Sequence, residues 1–266
     1  MKRQLPFELI YQIGAFLAAV IVVHLIYITV IRPQADAILE LRAERTAAGE
    51  EYVQERSIYI VLKDFEQESC FVLMFWAMAI MGYKGRNTLR ERGLLQEDIV
   101  RISEGMSVLP EDAREYTRPI QALPERTQGY LLPRTLLSAL QRFASTHNVQ
   151  DVSEAVKTVC DSESDRLDSE LAMVRYIAWA IPSIGFIGTV RGISDALGQA
   201  HRAVQGDIAG VTESLGVAFN STLIALVISI VIMFLMHQLQ LIQERLVLDT
   251  HTYCDQRLLS HLQVRN

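Results

Sequence analysis

The sequence predicts an all-α, polytopic membrane protein with about four transmembrane helices and long helices that extend into a cytoplasmic helical domain. Half of its 266 residues are hydrophobic, yet mean hydropathy is only slightly positive, so the apolar residues are gathered in blocks. Two of those blocks, residues 10–31 and 214–236, hold no Asp, Glu, Lys or Arg over a length that crosses a hydrocarbon core of roughly 30 Å. Between the blocks nothing alternates with the two-residue period of a strand, whereas three-to-four spacing of apolar residues recurs.

The first block follows Lys2 and Arg3 and precedes Ala35-Asp36-Ala37, an arrangement that superficially resembles a secretory leader. Its apolar run exceeds the roughly 7 to 15 residues of a signal core, so an uncleaved helix is expected. Residues 34–68 are acid-rich, with Glu50, Glu51, Glu55, Asp64, Glu66 and Glu68 outweighing the bases, which suits a connection on the outer side. Residues 70–83 form a short apolar block, read as the second span, and Lys84, Arg86, Arg90 and Arg92 crowd its end. Loop lysines and arginines favour the cytoplasmic side, so that end is expected to lie inside and, with four spans, both termini also. Residues 1–83 then make an N-terminal membrane segment.

Residues 84–172 are long enough for a helical cytoplasmic subdomain, divided into short helices by Pro110, Pro119, Pro124 and Pro133. From 149 to 175 there is neither Gly nor Pro, which predicts one helix running from cytoplasm into membrane. The third span covers 173–197 and the fourth 214–236, within a channel-like segment 173–238. Leu235, Leu239, Ile242 and Leu246 then repeat at helical spacing, so residues 239–266 are expected to continue as an amphipathic cytoplasmic helix. Such extensions suit packing between subunits or within one.

Thr189 and Thr222 are single threonines in the third and fourth spans, and their midpoint falls beside Gly206. In a helical hairpin folded there, equal sequence distance means equal depth, because both helices rise about 1.5 Å per residue. The two hydroxyls are expected at one level. No carboxylate lies in the inner stretches of these spans, since Asp195 and Glu213 fall toward their outer ends. A buried ionisable group is costly and usually functional, so the titratable group of any proton path is expected from elsewhere. Gly185, Gly188 and Gly192 share one face at spacings of three and four, where another helix can approach closely. Pro182 removes a backbone hydrogen bond and bends the helix.

The stretch carrying Ala178, Pro182, Gly185, Gly188, Thr189, Val190, Gly192 and Ile193 resembles the penultimate helix of the MotA/TolQ/ExbB proton-channel family. The stretch from Leu215 through Gly216, Asn220, Ser221 and Thr222 to Leu226 is similar to that family's final span. The resemblance covers about the last third of the chain. It implies a proton-conducting subunit of an ion-driven motor in the bacterial inner membrane, with five copies around a single-span partner like MotB, ExbD or TolR. The partner supplies the aspartate that carries the proton. Thr189 and Thr222, with Asn220 and Ser221, would line the ion path. Pro182, Gly185, Gly188, Gly192 and Gly216 would shape helix packing. Asn220-Ser221 and Ala225 depart from the family pattern: the amide lines the path or bonds a neighbouring helix, and Ala225 stands where glycine is common.

Arg191 and Asp195 have the i,i+4 spacing of a helical ion pair; alternatively Arg191 repels cations or grips a partner at the channel mouth. Glu213 suits the dipole at the start of the last helix or collects protons at the entrance. His24, the titratable side chain within the first block, reads as a neutral histidine facing another helix, although histidine can relay protons. The transported ion is expected to be H+ rather than Na+, with no cofactor. Cys70, Cys160 and Cys254 lack metal-ligand spacing and imply no disulfide framework, and a net charge of −6 does not suggest nucleic acid. No nucleophile elbow, phosphate loop or metal cluster points to an enzyme. Lipid and further copies of the chain complete the expected partners. Competing readings are a non-conducting membrane scaffold with the loop as a docking platform and, third, a solute transporter, which the lack of internal repeats disfavours.

Overall fold

The computed structural model describes residues 4–47, 57–100, 102 and 106–264. Lys2, Arg3, Glu50, Glu51 and Glu55 lie outside the described residues. The described chain is helical, with one isolated bridge between Val108 and Leu262. It divides into two compact units, residues 1–81 with 173–236, and residues 82–172 with 237–266.

In the first unit, α1 (Gln4–Ile26) passes through a π turn (Tyr27–Ile31) into α2 (Arg32–Ala47). The sequence reading ended this helix at Ile31. Pro33 explains the π turn that carries it onward: proline cannot donate to the preceding helical turn, and the Arg32 N–H bonds Tyr27 O five residues back, the π pattern. After the short α3 (Ile58–Leu62) comes α4 (Phe65–Leu94), which runs antiparallel to α1. Tyr11 Oη donates to Ala79 O at 3.2 Å, Trp76 Nε1 donates to Gln12 O at 3.0 Å, and Glu68 reaches His24.

Among the described residues, three helices are long and apolar enough to cross a membrane, Glu8–Arg42, Val149–Gly198 and Ala209–His261. The expected count of four is therefore not reached. The apolar stretch of α4, residues 70–83, extends only about 21 Å at 1.5 Å per residue, short of a roughly 30 Å core, and it is bounded by Glu66, Glu68, Lys84 and Arg86.

The hairpin of the first unit pairs α9 (Ala172–Gly198) with α11 (Ala209–Arg257). Between them lie α10 (Ala200–Val204) and Gly206 at φ +94°, a left-handed conformation that favours glycine. The turn thus falls at the midpoint expected from the two threonines.

The second unit packs α5 (Ala113–Gln121), α6 (Glu125–Gln128), α7 (Leu131–Thr146) and α8 (Val149–Glu170) with the end of α11. Its core includes Ile120, Leu136, Leu140, Phe143, Val152, Val156, Cys254 and Leu258. Pro124 caps α6 and Pro133 sits in the first turn of α7, where a missing N–H costs no helical bond. The helix expected from 149 onward runs to Gly198 with a single-residue irregularity at Leu171, whose N–H bonds Asp168 O and Ser169 O. Lys84 is buried beside Glu170 at 2.8 Å, and buried Glu163 accepts from Arg134 and Arg166.

Candidate functional site

The antiparallel register of α9 and α11 follows from small residues. A methyl added at Gly185 would lie 2.5 Å from Ala225 Cβ, and one at Gly192 would lie 2.7 Å from both Ala218 N and Ser214 O. At Gly188 the added methyl would strike the Ser221 side chain. The glycine face is therefore filled by the chain's own last helix, which lets backbones approach as small-residue faces do in membranes. Ala225 does not loosen this contact, because its methyl occupies the space that Gly185 leaves. Gly216 has nothing within 4 Å of where a Cβ would stand, so no close approach among the described residues requires a glycine there.

The register brings Thr189 and Thr222 together. Their hydroxyls hydrogen-bond each other. Thr189 Oγ1 also donates toward Ala218 O at 3.0 Å and Gly185 O at 3.3 Å, and Thr222 Oγ1 toward Gly185 O at 3.0 Å. A hydroxyl carries one proton, so these contacts are alternatives that the pair shares. Both residues are partly exposed, among exposed Phe186, Val190, Phe219 and Leu223. Ser221, in contrast, is buried and donates toward Ala218 O at 3.0 Å. It packs against Gly188 and does not share the exposed edge. Asn220 is half-buried and makes no side-chain hydrogen bond among the described residues.

Pro182 lies within an unbroken α9. Its missing N–H leaves Ala178 O without a helical donor, and buried Ser229 of α11 supplies one at 3.1 Å. Ser229 was missed by the sequence reading, though the signal was present: the midpoint that pairs Thr189 with Thr222 also pairs Pro182 with Ser229.

The charged residues assemble differently from expectation. Arg191 does not pair with Asp195. Its guanidinium donates to Glu66 of α4 at 2.8 Å and lies 3.9 Å from Asp64, while Asp195 is exposed and its backbone carbonyl accepts from Gln199. Glu213 sits 3.5 Å from Lys63 and remains largely exposed, where such a pair contributes little.

Glu66 Cγ would lie 3.1 Å from a Cβ at Gly188, the residue beside Thr189. Nearby Glu68 is buried and holds His24 Nδ1 at 2.6 Å and Arg32 at 2.5 Å, so His24 faces a carboxylate. Arg32 also stacks over Phe65, 4.5 Å from the ring centroid. Glu66 and Glu68 thus tie the start of α4 to Arg191 of α9 and to His24 of α1. No group of His, Cys, Asp and Glu among the described residues forms a metal cluster.

Residues 130–251 match the model of the MotA/TolQ/ExbB proton channel family. The match begins upstream of the stretches that carry the resemblance, takes in α7 and α8, and covers a little under half of the chain. No curated protein matches it.

Proposed function

We propose, from the match of residues 130–251 to the MotA/TolQ/ExbB proton channel family, that the chain is the proton-conducting subunit of an ion-driven motor in the bacterial inner membrane. Five copies surround a single-span partner whose aspartate carries the proton. The transported ion is H+ rather than Na+, and no cofactor takes part. The observation that carries this reading is the hydroxyl pair of Thr189 and Thr222, which lies within the matched region at a partly exposed edge of the hairpin.

In this mechanism the hydroxyls exchange their mutual bond for bonds to water or to the partner's carboxyl group. An ionised aspartate against apolar walls is costly. Protonation removes that cost and lets the partner pass, and release on the other side restores the charge. Each proton thereby biases one step between two arrangements of ring and partner. Arg191, held by Glu66, sets a positive charge beside the entrance.

A second reading, a non-conducting scaffold, is favoured by one observation. Both hydroxyls reach Gly185 O on α9, and Thr189 also reaches Ala218 O on α11, so the pair already serves to staple two helices together. Purifying the chain together with a single-span protein that carries an intramembrane aspartate, if the neighbouring gene encodes one, separates the two. The motor reading predicts a five-to-two complex by native mass spectrometry that dissipates a pH gradient in liposomes; a complex of other stoichiometry that leaves the gradient intact supports the scaffold.

A further inference from the structure

Along α9, Tyr176, Trp179, Ser183, Phe186, Val190 and Ile193 follow one another at alternating steps of three and four, and all six are exposed. On α11, Phe219, Leu223, Leu226, Ile230 and Met233 repeat in the same way and are exposed as well. A sustained seven-residue repeat is what knobs-into-holes packing against another helix requires, whereas a face turned to lipid needs only to be apolar. The hairpin itself does not cover either stripe. Gly185, Gly188 and Gly192 turn the other side of α9 toward Ala218, Ser221 and Ala225 of α11.

The two stripes fit each other in level. Residues of α9 and α11 share a depth when counted from the Thr189–Thr222 pair, and rotating a copy about the membrane normal leaves depth unchanged. Phe186 then stands level with Ala225, between Leu223 and Leu226 of a second copy. Val190 stands level with Ser221, between Phe219 and Leu223, and Trp179 with Ile232, between Ile230 and Met233. The knobs of one stripe meet the gaps of the other, as interdigitation demands. Direction agrees. At about 100° per residue, the α9 stripe is turned about 160° from the side that faces α11, and the α11 stripe about 130° from the side that faces α9. Both turns run through the flank that carries Thr189 and Thr222. For stripe to meet stripe, each copy is rotated about 70° from the last, so the ring closes near five copies with the hydroxyl pairs on its inner side.

We propose that the α9 stripe of one copy docks on the α11 stripe of the next, a heterologous contact that closes by rotation. The occupant is a second copy of this chain, because the match in level and direction is between the two stripes themselves. The inference rests on the ring of copies proposed above and names its contact surface, but it requires neither proton flux nor the single-span partner.

Cysteine cross-linking of the full chain in membranes tests this. Two differently tagged chains are co-expressed, one with Phe186→Cys and the other with Leu226→Cys; a second pair combines Ile193→Cys with Phe219→Cys. After mild oxidation each pair should give a covalent dimer that carries both tags, while the single variants alone do not. Ile187→Cys with Val227→Cys, one residue off the stripes, should not link either. Cys70, Cys160 and Cys254 are buried, and the unaltered chain sets the background. Two pairs keep the test decisive if one substitution spoils folding. Absence of a two-tag dimer in both pairs overturns the proposal. So does linkage of Phe186→Cys to itself, which sets like stripes together, or linkage of both stripes to the single-span partner instead. Flux is read separately: a ring that links but does not conduct removes the ion path alone, and one that conducts without linking removes this contact alone.

Discussion

Gly185→Ala probes the hairpin most sharply, because two physical effects predict opposite signs. Alanine is the better helix former by about 1 kcal/mol, so a loosely packed α9 gains stability. In this structure the new methyl lies 2.5 Å from Ala225 Cβ, 3.1 Å from Ser221 O and 3.2 Å from Thr222 Cα. The first contact falls about 1 Å short of ordinary van der Waals separation, and helix backbone stands behind it. Relief requires α9 and α11 to part, an overpacking strain of about 1–3 kcal/mol. A contact of 2.5 Å backed by helix backbone puts the strain in the upper part of that range, so the net expectation is a loss of about 1–2 kcal/mol, read as a lower unfolding midpoint of the full chain in detergent. Adding Ala225→Gly removes the nearest atom and should restore most of the loss, although Ser221 O and Thr222 Cα keep the rescue partial. Unchanged or raised stability in Gly185→Ala, or no recovery in the double variant, would refute the packing described for the glycine face.

Further outcomes follow from single contacts. Ser229→Ala leaves Ala178 O beside Pro182 without a donor and should cost about 1 kcal/mol, while Pro182→Ala, which restores a helical donor, should recover much of that loss in the double variant; full additivity would contradict the pairing. Glu66→Gln should lower the unfolding midpoint measurably because it weakens the hold on Arg191, whereas Asp195→Asn should change it little; the reverse order would place the ion pair within α9. Glu91 is partly buried and raised above the ordinary glutamate range by burial, despite a hydrogen bond from Leu131 N. The folded state therefore holds this proton more tightly than the unfolded chain, and its contribution is full at acid pH and falls as pH rises past the ordinary glutamate pKa. Glu91→Gln, which keeps an acceptor for Leu131, should flatten that part of the stability profile, and an unaltered slope would refute the assignment.

The hairpin was legible because its signals are local to two helices. A shared midpoint places Thr189 opposite Thr222, glycine spacing marks the contact face, and Gly206 supplies the conformation that the turn requires. The direction of the glycine face was not legible, since spacing says that something approaches closely but not whether it is the same chain or another copy. The carboxylate cluster escaped for a different reason. Glu66 meets Arg191 across 125 residues, and no period or motif links them, whereas Asp195 stood at the spacing that usually makes a pair. Both Pro33 and Pro182 were visible as missing donors. What sequence does not reveal is how each gap is met, by a π turn in the first case and by Ser229 in the second.

The motor reading rests on the proposal that the Thr189 and Thr222 hydroxyls line a proton path. It meets its most direct test in proton flux through the chain reconstituted with its single-span partner, followed by a pH-sensitive dye. Thr189→Val with Thr222→Val keeps side-chain shape and removes both hydroxyls. Flux should collapse while the complex still assembles; flux equal to that of the unaltered complex would rule out the pore-lining role of the two hydroxyls.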